Sequence, residues 1–256
     1  MKIESLDNKQ IKLFEQLKQK KYRTKEQKFV VEGVHLVELA LLHQQAGYVF
    51  IIENEYDVKD GALYKGETFI ADISCPYAYI SPRVSAKLTQ TMSPQGIYAI
   101  CSMQHKTYDG TSIVFFDGVS DPGNVGTIMR SANAFDVHNF YFTADAVDPY
   151  NDKVIRASQG AIFFSCLFFQ DDETSSADLF MQELKDVYAL DIVGTELQTR
   201  SRSSGSFGLI VGNEARGMTY ARWDAYKPVQ ITIPMNKQIE SLNVAVATSI
   251  ALYELR

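Results

Sequence analysis

The sequence predicts an α/β protein of two consecutive domains, the second built on a mainly parallel sheet. Two observations carry this reading. Short apolar, β-branched and aromatic runs alternate with stretches of helical periodicity along the 256 residues, and strands separated by helices are the pattern of a sheet covered by helices. The alternation is interrupted once, at the polar, turn-rich HKTYDGTS that starts at His105. We therefore expect a domain over residues 1–104, a linker over 105–111 and a second domain over 112–256.

In the first domain Ile11, Phe14 and Leu17 recur at three-residue intervals among Lys and Gln, which gives a short amphipathic basic helix ending near Lys20. KKYRTKEQK then reads as an exposed basic loop with one aromatic residue. KFVVEG is expected as a strand, residues 34–42 as an apolar helix, VFIIE, ETFIADI and YAYI as strands, residues 82–88 as a short helix and GIYAICSM as a strand. That order suits a compact three-layer α/β domain.

The second domain opens with the apolar strand SIVFF, which stops at Asp117 and Gly118, where DGVSDPGN marks a turn. A helix over 124–135 follows. Val125, Ile128, Ala132 and Phe135 lie on its buried face, Arg130 lies on another, and Asn124 stands at its entrance as a candidate N-cap. Next come strand NFYFT, a helix around 153–161, strand SCLFF, a helix over 175–185, strands VYALDIVGT and FGLIVG, a short helix near 219–226, strand VQITI and a last helix. The one low-complexity tract is RSRSSGS, at 200–206. Ligands of such sheets bind off the carboxyl ends of the strands. The turns expected there, DGVSDPGN, GTELQT, GNEARGM and PMNKQIESLN, are polar or glycine-bearing. The last helix, 244–255, is apolar on nearly all sides and rich in Ala. Either a protein partner, above all a second copy of the chain, buries it, or it packs on its own sheet.

Several function classes drop out. A composition of 46% hydrophobic and 22% charged residues is that of a globular protein. No apolar run approaches the roughly 18 residues needed to span a bilayer, and MKIESLDNKQ has no signal-peptide core. A cytoplasmic location is expected. Cys75, Cys101 and Cys166 are scattered, and His35, His43, His105 and His138 form no pair at metal-ligand spacing, so no disulfide framework and no metal are expected. A glycine-rich strand-to-helix loop followed by a guanidinium suits a phosphate or another anion. It lacks the GK[ST] ending of a nucleoside triphosphate loop, and Gly118, Gly123 and Gly126 do not fit GxGxxG.

Net charge is −6, which alone argues against nucleic acid. Residues 1–30, however, hold nine Lys/Arg against four acidic residues, a local +5 that leaves −11 on the remainder. Such a segment is either a solvated helix face or an electrostatic footprint for phosphates. Lys18, Lys20, Lys21, Arg23 and Lys25 are the candidate RNA contacts.

Three stretches, DPGNVGTIMRSANAF, LIVGNEARGM and ITIPMNKQIESLNVAVA, resemble in order and spacing the three motifs of the SpoU (TrmH-like) family of the SPOUT class of RNA methyltransferases. DPYNDKVIRASQGAIF is similar to the region after the first motif, with Asp152 where relatives often carry Pro. The resemblance spans about residues 112–256. The first hundred residues, with KFVVEGVHLVELAL, more weakly resemble the L30e-like substrate-binding domain that precedes this catalytic domain. The resemblance implies a C-terminal trefoil knot, a homodimer, S-adenosylmethionine as cofactor and methyl transfer to a ribose 2′-hydroxyl of RNA, ribosomal RNA first. It also implies that Gly212, Ile233 and Leu242 line the cofactor pocket, with Thr195, Asn213, Met235 and the backbone near Ser241 close by. Asn124, Arg130, Glu214, Ser241 and Asn243 match the polar positions around the methyl group and the ribose. Each also has an ordinary structural role: Glu214 as a helix-start acid, Ser241 or Asn243 as a cap for the last helix.

A 2′-hydroxyl is a poor nucleophile until its proton leaves. The family proposal casts the arginine at position 130 as the base, but a guanidinium releases its proton only above about pH 12. We favour Arg130 as an electrostatic clamp on the developing alkoxide and the adjacent phosphate, assisted by Asn124. Two alternatives stay open: a tRNA 2′-O-methyltransferase, and a ribosome- or RNA-binding protein that kept the fold without catalysis.

Overall fold

The computed structural model describes residues 2–171, 176–197 and 205–256. Most of the RSRSSGS tract, the end of GTELQT and the first residue of the helix expected at 175–185 lie outside these residues. The chain forms two compact units, Met1–Gln104 with Tyr150–Ile155, and His105–Pro149 with Arg156–Arg256.

In the first unit the order is β1 (Lys2–Ile3), α1 (Lys9–Leu17), α2 (Lys20–Glu26), β2 (Lys28–Glu32), α3 (Val34–Leu42), β3 (Ala46–Ile52), β4 (Asp57–Lys59), β5 (Ala62–Lys65), β6 (Thr68–Asp72), β7 (Tyr77–Ile80), α4 (Pro82–Leu88) and β8 (Ile97–Ser102). The main sheet runs β1-β7-β3-β8-β2, with β8 antiparallel to both neighbours. Ile11, Phe14 and Leu17 of α1 and Val84 and Leu88 of α4 pack with Val30, Phe50 and Tyr98 of the sheet. Alternation along the strands turns Val31, Val49 and Ala99 to the other face, and α3 packs against β2, β3 and β8. Tyr150 is tied to this unit by its ring, 4.9 Å from that of Phe29.

Two elements here differ from expectation. KKYRTKEQK is not a loop: it holds α2, and Arg23 is 5% exposed. The Arg23 Nη1 donates to the carbonyls of Leu17 (3.1 Å) and Lys18 (2.9 Å), the unpaired oxygens at the end of α1. Arg23 therefore caps α1 and is not the free phosphate contact expected of it. The sheet β4-β5-β6 has two strands the sequence reading passed over, because DVK and ALYK are too short for visible alternation. Their signal was the Asp60-Gly61 pair, whose φ values of 51° and 79° make the hairpin turn.

The second unit contains β9 (Ile113–Asp117), α5 (Pro122–Ala134), β10 (Asn139–Phe142), the end of α6 (Asp152–Ser158), β11 (Cys166–Phe169), α7 (Ala177–Met181), β12 (Asp186–Glu196), β13 (Phe207–Gly212), α8 (Tyr220–Trp223), β14 (Val229–Thr232) and α9 (Val244–Leu255). Its six strands pair wholly in parallel in the order β11-β10-β9-β13-β12-β14. Phe115, Tyr141, Phe168, Phe180, Ile210 and Trp223 form one core cluster. Tyr108 packs on it, 5.0 Å from the Phe180 ring, so the polar stretch after His105 is stitched to this unit by an aromatic anchor.

Helix α5 starts two residues earlier than expected. Asp121 is its N-cap, with a side chain that accepts from the Asn124 N–H at 2.8 Å, and Pro122 sits in the first turn. Asn124 is inside the helix, and its amide is free for other partners. Helix α9 is buried on one side only. Ala245, Thr248, Ala251, Leu252 and Leu255 are covered, α9 packs along α5, and the Ser249 hydroxyl donates to that of Ser131 at 2.9 Å. Val246, Ile250 and Tyr253 remain 49%, 38% and 50% exposed as a stripe at helical spacing.

Candidate active site

A cavity of about 750 Å³ lies in the second unit, at the carboxyl ends of β13 and β14 and beside the middle of β12. Gly212, Asn213, Glu214, Ile233, Met235, Ser241, Leu242 and Asn243 all line it. Residues from the second and third motif stretches, some twenty positions apart in sequence, thus share one wall. Thr195 does not line it; it is exposed and paired with Ile231 in the β12–β14 ladder. Sequence reasoning missed Leu190, Asp191, Tyr220 and Glu240, which also line the cavity. The general rule about strand carboxyl ends points at Glu240, in the PMNKQIESLN turn after β14; Leu190 and Asp191, in the middle of β12, and Tyr220, on α8, carry no such signal. The Tyr220 hydroxyl donates to Asp191, and that bond, with burial, pushes the phenol up to about 12.

Gly212 has a packing reason. A Cβ there would lie 2.5 Å from the Met218 nitrogen and 2.6 Å from the Gly217 carbonyl carbon, so the loop after β13 folds back across the glycine. That loop is laced to itself. The Asn213 and Gly217 backbones exchange hydrogen bonds at 3.0 and 2.9 Å, and the Asn213 Oδ1 accepts from Ala215 and Arg216, each at 3.0 Å.

The polar residues form a connected set. Glu214 accepts from the Ser120 N–H and hydroxyl (both 3.3 Å), the Asp121 N–H (3.2 Å) and the Asn124 Nδ2 (3.0 Å). Burial alone would raise its carboxyl, but the bonds from Asn124, its own backbone, Ser120 and Asp121 outweigh that and hold it below the ordinary carboxylate range. The Asn124 Oδ1 in turn accepts from the Asn243 Nδ2 at 2.9 Å. Asn243 is the N-cap of α9, with its Oδ1 accepting from Ala245 (2.9 Å) and Val246 (3.3 Å). Asn124 therefore bridges two residues of the cavity wall.

Arg130 stands apart. It is exposed, six residues beyond Asn124 on α5, about 9 Å further along the helix axis. It does not line the cavity, and its guanidinium makes no hydrogen bond or ion pair with the described residues. Lys20, Lys21 and Lys25 are exposed, whereas Lys18 is half-buried, bonded to the Lys87 carbonyl and paired with Glu15. Among the described residues no group of three or more His, Cys, Asp or Glu could hold a metal ion, and no helix is long and apolar enough to cross a membrane.

Known proteins resemble this arrangement along its whole length. The profile of the SpoU rRNA Methylase family matches residues 111–253, and that of the MRM3-like substrate binding domain matches residues 8–99. The chain is 34% identical over 260 residues to the 23S rRNA (guanosine(2553)-2'-O)-methyltransferase RlmP of Bacillus subtilis (strain 168), covering 99% of this chain and 98% of that one. Among solved structures, a putative RNA methyltransferase of the TrmH family from Porphyromonas gingivalis superposes with a TM-score of 0.81 at 26% identity, covering 98% of each chain. The SpoU methyltransferase AviRb from Streptomyces viridochromogenes, solved in complex with the cofactor AdoMet, also gives 0.81 at 22% identity over 97% of each chain, a likeness of fold. On the family profile and the full-length relative together, the chain belongs to the SpoU rRNA methylase family.

Proposed function

We propose that this protein transfers a methyl group from S-adenosylmethionine to a ribose 2′-hydroxyl of ribosomal RNA. The observation that carries the proposal is the Glu214–Asn124–Asn243 chain beside a cavity whose other walls mix aliphatic side chains and backbone with the polar Asp191, Tyr220, Glu240 and Ser241. The cavity fits the cofactor: its volume lies inside the range of about 300–1,000 Å³ usual for small-molecule sites. The fold-back over Gly212 presents main-chain groups, while Ile233, Met235 and Leu242 offer aliphatic faces for an adenine. Bound there, S-adenosylmethionine supplies an electrophilic methyl group.

The protein residues divide the remaining work. Glu214 has its oxygens engaged by four donors and a depressed acidity constant, which makes it a positioner and a poor proton acceptor. Asn124 and Asn243 spend their amides on Glu214, on each other and on the α9 N-terminus. Arg130 is the charged group of the set without a partner among the described residues, and it is assigned to the developing alkoxide and the adjacent phosphate. Ser241 lines the cavity and is assigned to the cofactor's polar edge.

The same reading divides the chain into a substrate-binding domain over 1–104, a linker over 105–111 and a catalytic domain over 112–256. Lys18, Lys20, Lys21 and Lys25 are the RNA contacts of the first. It also places the protein in the cytoplasm, where its substrate would be, and it includes the family's trefoil knot in the C-terminal segment and no metal requirement. A homodimer closed by α9 accounts for the exposed Val246, Ile250 and Tyr253 stripe.

Calorimetry in EDTA tests the site: stoichiometric binding of S-adenosylmethionine is expected, and Gly212→Val should remove it by driving a side chain into the Met218 backbone. Mapping ribose methylation in a deletion strain tests the substrate. Full ribosomal RNA methylation in that strain would refute the assignment.

A further inference from the structure

Asp117 ends β9 in register with Gly212 of β13 and is 1% exposed. A carboxylate with so little water needs partners, and it has two: the Thr219 N–H, which donates to its Oδ2 at 2.5 Å, and Arg222, whose Nη1 donates to its Oδ1. Neither partner is local in sequence. Thr219 is the residue at which the cavity-lining loop 213–218 ends, and Arg222 lies on α8, which follows it. The next residue of β9's exit, Gly118, holds the other end of that loop, because its carbonyl accepts from the Asn213 Nδ2 at 2.7 Å. Two adjacent residues thus pin both ends of the segment that folds over Gly212 and carries Glu214.

Arg222 is held from a second side by Asp145, 3.3 Å away. Asp145 accepts from the Thr143 hydroxyl at 2.7 Å, and that hydroxyl accepts from the Gly118 N–H at 2.9 Å, so the set closes on the β9 exit. Trp223, beside Arg222 and the single tryptophan of the chain, is 1% exposed, with its ring 5.4 Å from that of Phe115 on β9. Displacement of α8 would therefore move a buried fluorophore.

We infer that Asp117 and Arg222 form a latch that fixes the loop 213–219 in its cofactor-receiving position, making them positioning residues for cofactor binding. The inference rests on the reading of the cavity as the S-adenosylmethionine site. A latch on this loop acts on cofactor affinity more than on turnover. Asn124 and Asn243 hold each other independently of Asp117, and Arg130 lies elsewhere on α5.

The test uses the full chain and the variants Asp117→Ala, Arg222→Gln and Arg222→Lys. Loss of a hydrogen bond to a charged group should weaken S-adenosylmethionine binding about tenfold in the first two, with Arg222→Lys recovering most of it. At saturating cofactor the bound ligand holds the loop in place and so keeps Glu214 on Asn124, and turnover as well as RNA affinity should stay near wild type. Cofactor affinity unchanged in both Asp117→Ala and Arg222→Gln would overturn the latch, as would a loss of turnover with unchanged affinity. If Asp117→Ala does not fold, the Gln and Lys variants at 222 decide by the same comparison.

A measurement without cofactor separates the latch from the cavity reading. Amide exchange in the peptide that contains Thr219 should be faster in Asp117→Ala and Arg222→Gln, and Trp223 emission should shift to the red. If the wild-type protein binds no S-adenosylmethionine, the cavity reading falls, and unchanged exchange and emission in the variants would then remove the latch too.

Discussion

Replacing Glu214 by Ala removes one acceptor that four donors share. Two of those bonds, from Asn124 at 3.0 Å and Asp121 at 3.2 Å, are of ordinary length, and the two from Ser120 at 3.3 Å are long. The site is exposed, so water replaces the lost acceptor and the full penalty of a buried unpaired donor does not apply. Counting about 0.5–1.5 kcal/mol for each of the two better bonds gives a loss of about 1–3 kcal/mol. At about 2–4 °C per kcal/mol for a chain of this size, Tm should fall by several degrees. Methyl transfer should fall more steeply, because Asn124 loses the group that orients its amide. Glu214→Gln keeps an acceptor and should lie between the two. The sign with pH also follows. The carboxyl is held below its ordinary range in the folded protein, so its contribution is present above the unfolded acidity constant and lost as pH falls through the folded one. Wild type and Glu214→Ala should converge in stability in acid. Thermal unfolding by circular dichroism across pH, with a radiolabelled methyl-transfer assay, makes the measurement. An unchanged Tm with unchanged turnover in Glu214→Ala would refute the reasoning.

Arg130→Ala should lower turnover by about 10²–10³ with cofactor affinity intact; activity of Arg130→Lys that rises with pH would point to a proton acceptor, and low activity with little pH response to a clamp. On α9, Val246→Asp should yield monomers in light scattering because it alters the exposed stripe, whereas Ala251→Asp, at a fully buried position, should unfold the chain. Each of Lys20→Ala, Lys21→Ala and Lys25→Ala should flatten the slope of log RNA affinity against log salt by roughly 0.7–0.9. Arg23→Ala should instead lower Tm, since it uncaps α1.

By itself the sequence determined the alternation of strands and helices and the polar loops DGVSDPGN, GNEARGM and PMNKQIESLN at strand ends. These features are written in short-range periodicity and turn chemistry, which survive without any tertiary contact. Part of the cavity wall was named by the resemblance to the SpoU motifs, which pointed to Gly212, Ile233 and Leu242, and the sheet rule adds that such loops gather at one edge. Tertiary structure alone decided the rest. Arg23 reads as one more surface cation until two carbonyls at the end of α1 are seen to need it. Asn124 looks like a helix cap until Asp121 takes that role and frees its amide for Glu214 and Asn243, residues 90 and 119 positions away. Helix α9 looks apolar all round until α5 covers one side and leaves a stripe on the other. Asp117 reads as the polar end of a strand, and only the return of the chain a hundred residues later gives its buried charge a partner. Each depends on which distant groups meet, and single-sequence periodicity carries no record of that.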